Sequence, residues 1–286
     1  MKSFARTSTM RQQIQLLVQK AATFILLCLV MAWTFFPILW IVATSLKPET
    51  ESMTRPPTFV FEPSLDAYKY VLSWGTFRGA FLNTVFISIA TTVLVVSAST
   101  PAGYAFSRFR FAGRRTLYFS LLALRIIPPV AAIVPLFLLF QRAKLMDTHV
   151  GLILLYSSFL VSFATIMMKA FFDEIPPDLE ECAMVDGCTR FQAFLRICLP
   201  LVAPGISGTA VYALVSAWNE FLFALIFTSR AAKTAPVFLG YFVGETGIEW
   251  SHMAAGATLV MIPSLLLAWI VQRNLVRGLA VGAVKG

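Results

Sequence analysis

The acidic side chains that could do chemistry are concentrated in one polar stretch. Four acids lie within a span of nine residues: Asp178, Glu180, Glu181 and Asp186. The sequence from Glu180 to Pro200 is EECAMVDGCTRFQAFLRICLP. Carboxylates in such a row can cap helices, and they can form charge-assisted hydrogen bonds with a basic surface. The stretch therefore indicates binding to a basic partner more than catalysis.

Enzyme and metal chemistry find little support elsewhere in the chain. The two histidines, His149 and His252, are far apart in the sequence, so no clustered catalytic group is apparent. The spacings of the four cysteines fit no zinc pattern, and we expect them to be small, buried, reduced thiols: Cys28, Cys182, Cys188 and Cys198. No glycine-rich phosphate loop of the G-x4-G-K-[ST] type occurs, which argues against ATP hydrolysis by this chain.

The elements that flank the acidic stretch are long and apolar. Of the 286 residues, 58% are hydrophobic and only 13% are charged, about half the charge of a soluble domain. A soluble core is disfavoured, because the apolar runs show no polar outer faces. The first run is too long for a signal-peptide core, so we expect it to be retained. Six runs are long enough to cross a bilayer as helices: 21–46, 81–106, 117–140, 150–172, 205–228 and 253–272.

The net charge of +9 is interpreted as a topology signal. If the N-terminus is cytoplasmic, the inside segments carry 14 lysines and arginines, the outside segments carry 8, and Arg125 lies within a span. This asymmetry predicts that both termini are cytoplasmic. No basic patch with interleaved aromatic residues points to nucleic acid.

The acidic stretch should begin with a short helix. Pro176 and Pro177 end the preceding element, and Asp178 is predicted to cap the helix with Glu181 as its capping-box partner. The helix would run to about Val185. Asp186 and the following glycine would then form a turn, because glycine accepts a positive φ.

A second helix should follow this turn. Thr189 is predicted to cap it, with Gln192 at the matching position, and Pro200 would end it. A helix pair lying on the membrane surface is one interpretation, but the acidic first helix would be repelled by anionic lipid. A protein partner with a basic groove is the favoured interpretation.

The same stretch resembles the loop motif of permease subunits of ABC importers. The resemblance rests on Glu181-Cys182-Ala183, then Gly187, then nine residues, then Ile197-x-Leu199-Pro200. Cys182 and Cys188 depart from the alanines usual in the family. Other stretches are similar to the carbohydrate-uptake branch, and to the shorter permease of maltose-type transporters in particular: Asn83-Thr84, the run WNEFLFAL at 218–225, and Gly278 with Ala283-Val284-Lys285-Gly286.

This resemblance implies an all-α membrane protein of the type I importer permease fold, with six spans in a single domain over 1–286. A cytoplasmic coupling loop would cover 173–200 and a cytoplasmic tail 273–286. The chain would sit in a bacterial inner membrane beside a second permease, with two copies of a cytoplasmic ATPase that hold the ATP and Mg²⁺, and a periplasmic or lipid-anchored binding protein. It would bind no cofactor itself. The ATPase contacts implied are, in the loop, Glu181, Cys182, Ala183, Asp186, Gly187, Ile197, Leu199 and Pro200, and in the tail, Ala283, Val284, Lys285 and Gly286.

Five polar or aromatic residues are candidates for the translocation pathway: Asn83, Arg125, Trp218, Asn219 and Glu220. Arg125 would lie about 13 Å into its span at 1.5 Å per residue. It could snorkel to the interface, pair with the partner permease or contact substrate. Residues 218–220 could equally form a packing motif between subunits.

Two other classes of function remain open at this point. A secondary transporter or channel would show paired intramembrane acids, whereas here Glu220 and Arg125 are the clear mid-span charges. An ABC permease for a non-carbohydrate solute is the second alternative. Sugars, oligosaccharides, polyols and glycerol-phosphate esters all fit the residues.

Overall fold

The computed structural model describes residues 2–52, 54, 56, 58–244 and 247–283, with side chains described for 15–267 and 269 within these ranges. The chain divides into two compact units. The first comprises the residues up to Val71 together with Gly244–Thr258, and the second comprises Leu72–Val243 together with the chain from Leu259.

Helix α1 dominates the first unit. It runs over Lys2–Ser45, and its segment Gln15–Ser45 is apolar enough to cross a membrane. Two short helices follow, α2 over Glu49–Ser52 and α3 over Asp66–Ser73. The end of α1 is fixed to α3 by a 2.6 Å hydrogen bond between the hydroxyls of Ser45 and Tyr68.

Helices α4 to α13 belong to the second unit. They are α4 (Gly75–Arg108), α5 (Arg114–Ala123), α6 (Pro129–Arg142), α7 (His149–Asp173), α8 (Asp178–Val185), α9 (Arg190–Ala193), α10 (Leu199–Leu201), α11 (Ala203–Trp218), α12 (Leu222–Phe227) and α13 (Ala235–Phe238). One π-helical turn, Phe194–Cys198, joins α9 to α10, and a 3₁₀ turn, Leu239–Phe242, follows α13.

The last helix, α14, covers Trp250–Ala283. Two strands of two residues each precede it, β1 (Val243–Gly244) and β2 (Gly247–Ile248). Apart from these four residues, the regular elements of the described chain are helical, as predicted.

The centre of the second unit is the packing of α4 against α7 and α11. Val95, Ala164 and Ala213 form one buried contact among the three helices. At Gly103 the backbone of α4 touches α7 so closely that an added Cβ would lie 2.6 Å from the Cβ of Met168 and 2.8 Å from the amide nitrogen of Lys169. A residue without a side chain is needed there, and it allows the two helices to pack backbone against backbone.

In the described part of the chain, four helices are long and apolar enough to span a membrane, and a fifth candidate is a bent pair. The four are Gln15–Ser45, Gly75–Arg108, His149–Asp173 and Trp250–Leu267, and the pair is Arg190–Leu201 with Ala203–Trp218, bent by 73°.

The prediction of one continuous helix over 117–140 is wrong. α5 ends at Ala123 and α6 begins at Pro129, with Pro128 in an extended conformation between them. Two successive prolines explain the break, because proline lacks an amide donor and disfavours helical geometry at the residue before it.

The predicted helix over 205–228 is also interrupted. α11 ends at Trp218 and α12 starts at Leu222. The side-chain amide of Asn219 donates to the carbonyl oxygen of Val215 at 2.9 Å, which offers the backbone an alternative to continued helix.

Candidate functional site

The acidic stretch folds as a helix, a turn and a second helix, as predicted. α8 ends at Val185, and Gly187 adopts a φ of +91°. The amide of Cys188 donates back to the carbonyl oxygen of Ala183 at 3.0 Å, which closes the turn. Glycine suits this position because a side chain is strained at such a φ.

One of the two predicted capping boxes is present. The amide of Gln192 donates to the hydroxyl of Thr189 at 3.3 Å, and the amide of Thr189 donates to the side-chain oxygen of Gln192 at 2.8 Å. The second helix, however, continues through the π turn to Leu201, so the prediction that Pro200 ends it is wrong.

The capping box predicted for Asp178 and Glu181 is wrong. Pro177 is the residue that precedes α8, and its φ of −57° and ψ of −29° are already helical. Its carbonyl oxygen accepts the amides of Glu180 and Glu181 at 2.9 and 3.1 Å. Asp178 therefore lies inside the first turn, and among the described side chains none caps this helix.

The buried acid of the stretch is Glu180, which the sequence did not single out. Its carboxylate accepts hydrogen bonds from Nε of Arg108 at 2.5 Å and from the hydroxyl of Tyr104 at 2.7 Å. Burial opposes ionisation of Glu180, but these two bonds outweigh it and hold the pKa of the carboxyl below its usual range. The one sequence signal was the spacing of Tyr104 and Arg108, four residues apart and so on one face of a helix.

The predicted coupling residues fall into three groups by exposure. Glu181, Cys182, Asp186, Gly187 and Pro200 are exposed, whereas Ile197 and Leu199 are half-buried. Ala183 is buried against this chain. Two apolar side chains that were not predicted also project into solvent, Val185 at 87% and Phe191 at 67% exposure.

The cysteines share no common environment. Cys198 is buried, Cys188 is half-buried, and Cys28 and Cys182 are exposed. The expectation of small buried thiols therefore holds for Cys198 alone.

Within the described residues, no group of three or more histidine, cysteine, aspartate or glutamate side chains could hold a metal ion.

Arg125 was predicted to lie within a helical span, but it lies in the break between α5 and α6. Its Nη1 donates to the hydroxyl of Tyr212 at 2.9 Å, and its guanidinium carbon lies 4.2 Å from the centroid of the Phe163 ring. The cation is thus placed by α11 and α7, and its side chain remains exposed.

The side chains of residues 218–220 have hydrogen-bond partners within this chain. Trp218 is buried, and its Nε1 donates to the carbonyl oxygen of Val260 at 3.1 Å. Asn219 is exposed. The Glu220 carboxylate accepts the amides of Phe223 and Ala224 at 2.8 and 3.1 Å, so it caps the start of α12. These contacts give Trp218 and Glu220 structural roles within this chain.

Asn83 supports the loop that follows α12. Its Nδ2 donates to the carbonyl oxygens of Ala231 and Lys233 at 2.9 and 3.0 Å, and its Oδ1 lies 2.8 Å from Nε2 of His149. The same loop binds Asp147, which the sequence gave no reason to select.

The tail residue Ala283 ends α14, and the predicted contacts Val284, Lys285 and Gly286 lie outside the described residues.

Comparisons with known proteins identify the family. The chain matches the binding-protein-dependent transport system inner membrane component over residues 95–281, and it belongs to that family. It is 39% identical to the probable ABC transporter permease protein y4oR of Sinorhizobium fredii, over 87% of this chain and 90% of the relative. It is 38% identical to the trehalose transport system permease protein SugB of Mycobacterium tuberculosis, over 90% of this chain and 95% of the relative.

A solved structure supports the same assignment at the level of fold. The chain has a TM-score of 0.77 to a chain of a bacterial ABC transporter involved in the import of alginate, at 22% identity, covering 90% of this chain and 96% of that chain. The protein is therefore a multi-pass permease subunit of an ABC importer in the bacterial inner membrane, with the type I fold. The ATPase of such an importer is a separate subunit.

Proposed function

We propose that this permease carries a sugar or sugar-like solute, by alternating access driven by the cytoplasmic ATPase. The observation that carries the proposal is the 38% identity to a trehalose permease over 95% of that relative. A second permease subunit would complete the translocation pathway, and a solute-binding protein outside the membrane would deliver the solute.

The proposed topology has six spans and two cytoplasmic termini. Two spans would be broken, one formed by α5 and α6 and the other by α11 and α12. The 14 lysines and arginines of the inside segments against 8 outside support this orientation. The cytoplasmic side then holds the loop 173–200 and the tail from 273.

The loop would dock onto the ATPase through the exposed end of α8. Glu181 and Asp186 supply negative charge there, and Val185 and Phe191 supply exposed apolar surface. Glu181 does not cap the start of α8, so its carboxylate is not needed there to stabilise the helix. ATP and Mg²⁺ would be bound by the ATPase, and the tail residues 283–286 would add contacts to it.

The proposed solute pathway passes Arg125. Its guanidinium is exposed beside Tyr212 and Phe163, a combination of cation, hydroxyl and aromatic ring that can hydrogen-bond and stack on a sugar. Asn83, Trp218 and Glu220 would support the surrounding loops and helices.

The test is reconstitution of the complete transporter in proteoliposomes with its own binding protein. We expect ATP-dependent uptake of labelled trehalose or maltose, and no uptake of labelled methionine. In the same complex, Glu181→Gln should weaken ATPase retention and make it less sensitive to salt, because one charge-assisted bond worth about 1.5–3 kcal/mol is lost.

Uptake of methionine with no uptake of any sugar tested would overturn the carbohydrate assignment. Retention of the ATPase by Glu181→Gln equal to wild type at low salt would remove Glu181 from the docking surface. A reporter fused after Lys285 and found outside the membrane would overturn the topology.

A further inference from the structure

Helix α8 is held to the rest of the permease by very few of its own side chains. Of its eight residues, all described, only Glu180 and Ala183 are buried. Glu181, one position further on, is exposed. The surface that would meet the ATPase and the surface that meets the permease are therefore on different residues of the same short helix.

The polar attachment of α8 is made to the end of α4. Nε of Arg108 donates to one oxygen of Glu180 at 2.5 Å, and the hydroxyl of Tyr104 donates to the other at 2.7 Å. The side chains of Arg108 and Glu180 are only 10% and 7% exposed. Water therefore competes little for these bonds, and the buried ion pair is held in a fixed geometry.

The end of α7 joins the same cluster. Nη2 of Arg108 donates to the carbonyl oxygen of Ile175 at 2.7 Å, just beyond α7. The neighbouring Ser107 donates to the carboxylate of Asp173 at 2.7 Å, and Lys169 pairs with that carboxylate as well. Arg108 thus contacts α8 and the segment between α7 and α8 at once.

The helices that receive α8 also form a tight pair. At Gly103, directly before Tyr104 and about one turn before Arg108, α4 packs on the backbone of α7 at Met168 and Lys169. A displacement of α8 that is passed to Arg108 would therefore move α4 and α7 together, because neither helix has space to slide into the other.

We propose that Tyr104, Arg108 and Glu180, which we call the cytoplasmic clamp, carry the displacement of α8 into α4. Glu180 and Arg108 are positioning residues on this proposal: they transmit motion and touch neither solute nor nucleotide. The inference rests on the proposed docking of α8 to the ATPase. It adds that docking and transmission are separate functions of adjacent carboxylates: the exposed Glu181 docks, and the buried Glu180 transmits the motion.

The experiment compares uptake per ATP hydrolysed in proteoliposomes that hold the complete transporter. Glu180→Gln keeps the side-chain shape and removes the charge, Arg108→Gln removes the opposite charge, and a third variant combines both. Glu174→Gln is the matched control, since Glu174 is an exposed carboxylate of the same loop. ATPase retention is measured for every variant by copurification.

We expect Glu180→Gln and Arg108→Gln to retain the ATPase and to hydrolyse ATP, while uptake per ATP falls at least about fivefold, the lower end of ordinary coupling between sites. The double variant should fall no further than either single variant, because both remove the same interaction. Glu174→Gln should match wild type.

Unchanged uptake per ATP in Glu180→Gln would overturn the clamp. So would loss of ATPase retention equal to that of Glu181→Gln, because Glu180 would then serve docking alone. If a glutamine variant fails to insert, Tyr104→Phe decides, since it removes only the hydroxyl that donates to Glu180 and leaves no unpaired charge: normal uptake per ATP refutes the clamp and a fall supports it. A wild-type complex without ATP-linked uptake would refute the proposed function instead.

Discussion

The carboxylate of Asp147 binds the backbone of the loop that follows α12. Its carboxylate accepts the amides of Ser229, Ala231 and Ala232 at 3.0, 3.0 and 3.1 Å, and the hydroxyl of Ser229 at 2.8 Å. The amide of Arg230 is also within reach, at 3.1 Å. One side chain therefore satisfies four consecutive backbone donors, and Asp147→Asn is the perturbation that removes its charge with little change in shape.

The expected loss of local stability in Asp147→Asn follows from the loss of the carboxylate's negative charge. An asparagine offers one acceptor oxygen, and its NH2 group would face amides that are themselves donors. A hydrogen bond to a charged acceptor contributes about 1.5–3 kcal/mol. We take the loss of local stability as about 2–3 kcal/mol, which corresponds to a rise of roughly 30- to 140-fold in the population of the opened loop.

The pH dependence has a defined sign. Burial opposes ionisation of Asp147, but the amides of Ala231, Ser229 and Ala232 outweigh it and hold the pKa of the carboxyl well below its usual range. A carboxyl with a lowered folded-state pKa stabilises the folded loop at every pH above its unfolded-state value of about 3.9. The stabilisation is lost progressively as the pH falls from that value through the lowered folded-state pKa.

Hydrogen exchange measured by mass spectrometry is the assay, on peptides that contain the amides of 229–232. We expect exchange in Asp147→Asn to rise by the factor given above at neutral pH, with α4 and α7 unchanged. Glu62→Gln serves as the control, because Glu62 is an exposed carboxylate. Exchange equal to wild type in Asp147→Asn would refute the conclusion that this carboxylate orders the loop.

Two further predictions concern glycines with measurable constraints. Gly187→Val places a branched side chain at a φ of +91°, at a strain of about 1–3 kcal/mol, and should reduce uptake and ATPase retention in proteoliposomes; wild-type uptake would contradict it. Gly103→Ala puts a Cβ 2.6 Å from that of Met168 and should lower the free energy of unfolding by about 1–3 kcal/mol, which thermal unfolding of the purified complex measures. Gly79→Ala is its control, because a Cβ there meets no atom within 4 Å, and equal melting of the two variants would argue against the close contact.

Much of the structure of loop 173–200 could be predicted because its determinants are local. The turn at Gly187 and the capping box of Thr189 and Gln192 depend on groups no more than five residues apart, and both are confirmed. The cap assigned to Asp178 failed for an equally local reason, since Pro177 already adopts helical angles.

The apolar elements were predicted in position but not in continuity. Composition places a run of membrane-compatible length at 117–140, yet Pro128 and Pro129 divide it into α5 and α6. Hydropathy averages over the whole run, so it does not register where the backbone hydrogen bonds are interrupted. Arg125 lies in this interruption, and its contacts with Tyr212 and Phe163 depend on helices far along the chain.

The sequence by itself determined the apolar runs, the helix–turn–helix of residues 178–201 and the motif that marks the family. Only the tertiary structure decided which acid faces inward. Glu180 and Glu181 are chemically identical neighbours, and Glu180 is buried because α4 brings Tyr104 and Arg108, 76 and 72 residues away in sequence, against that side of α8. Side-chain type fixes what a residue can bind, but burial and partners depend on the packing of distant helices, which no local pattern contains.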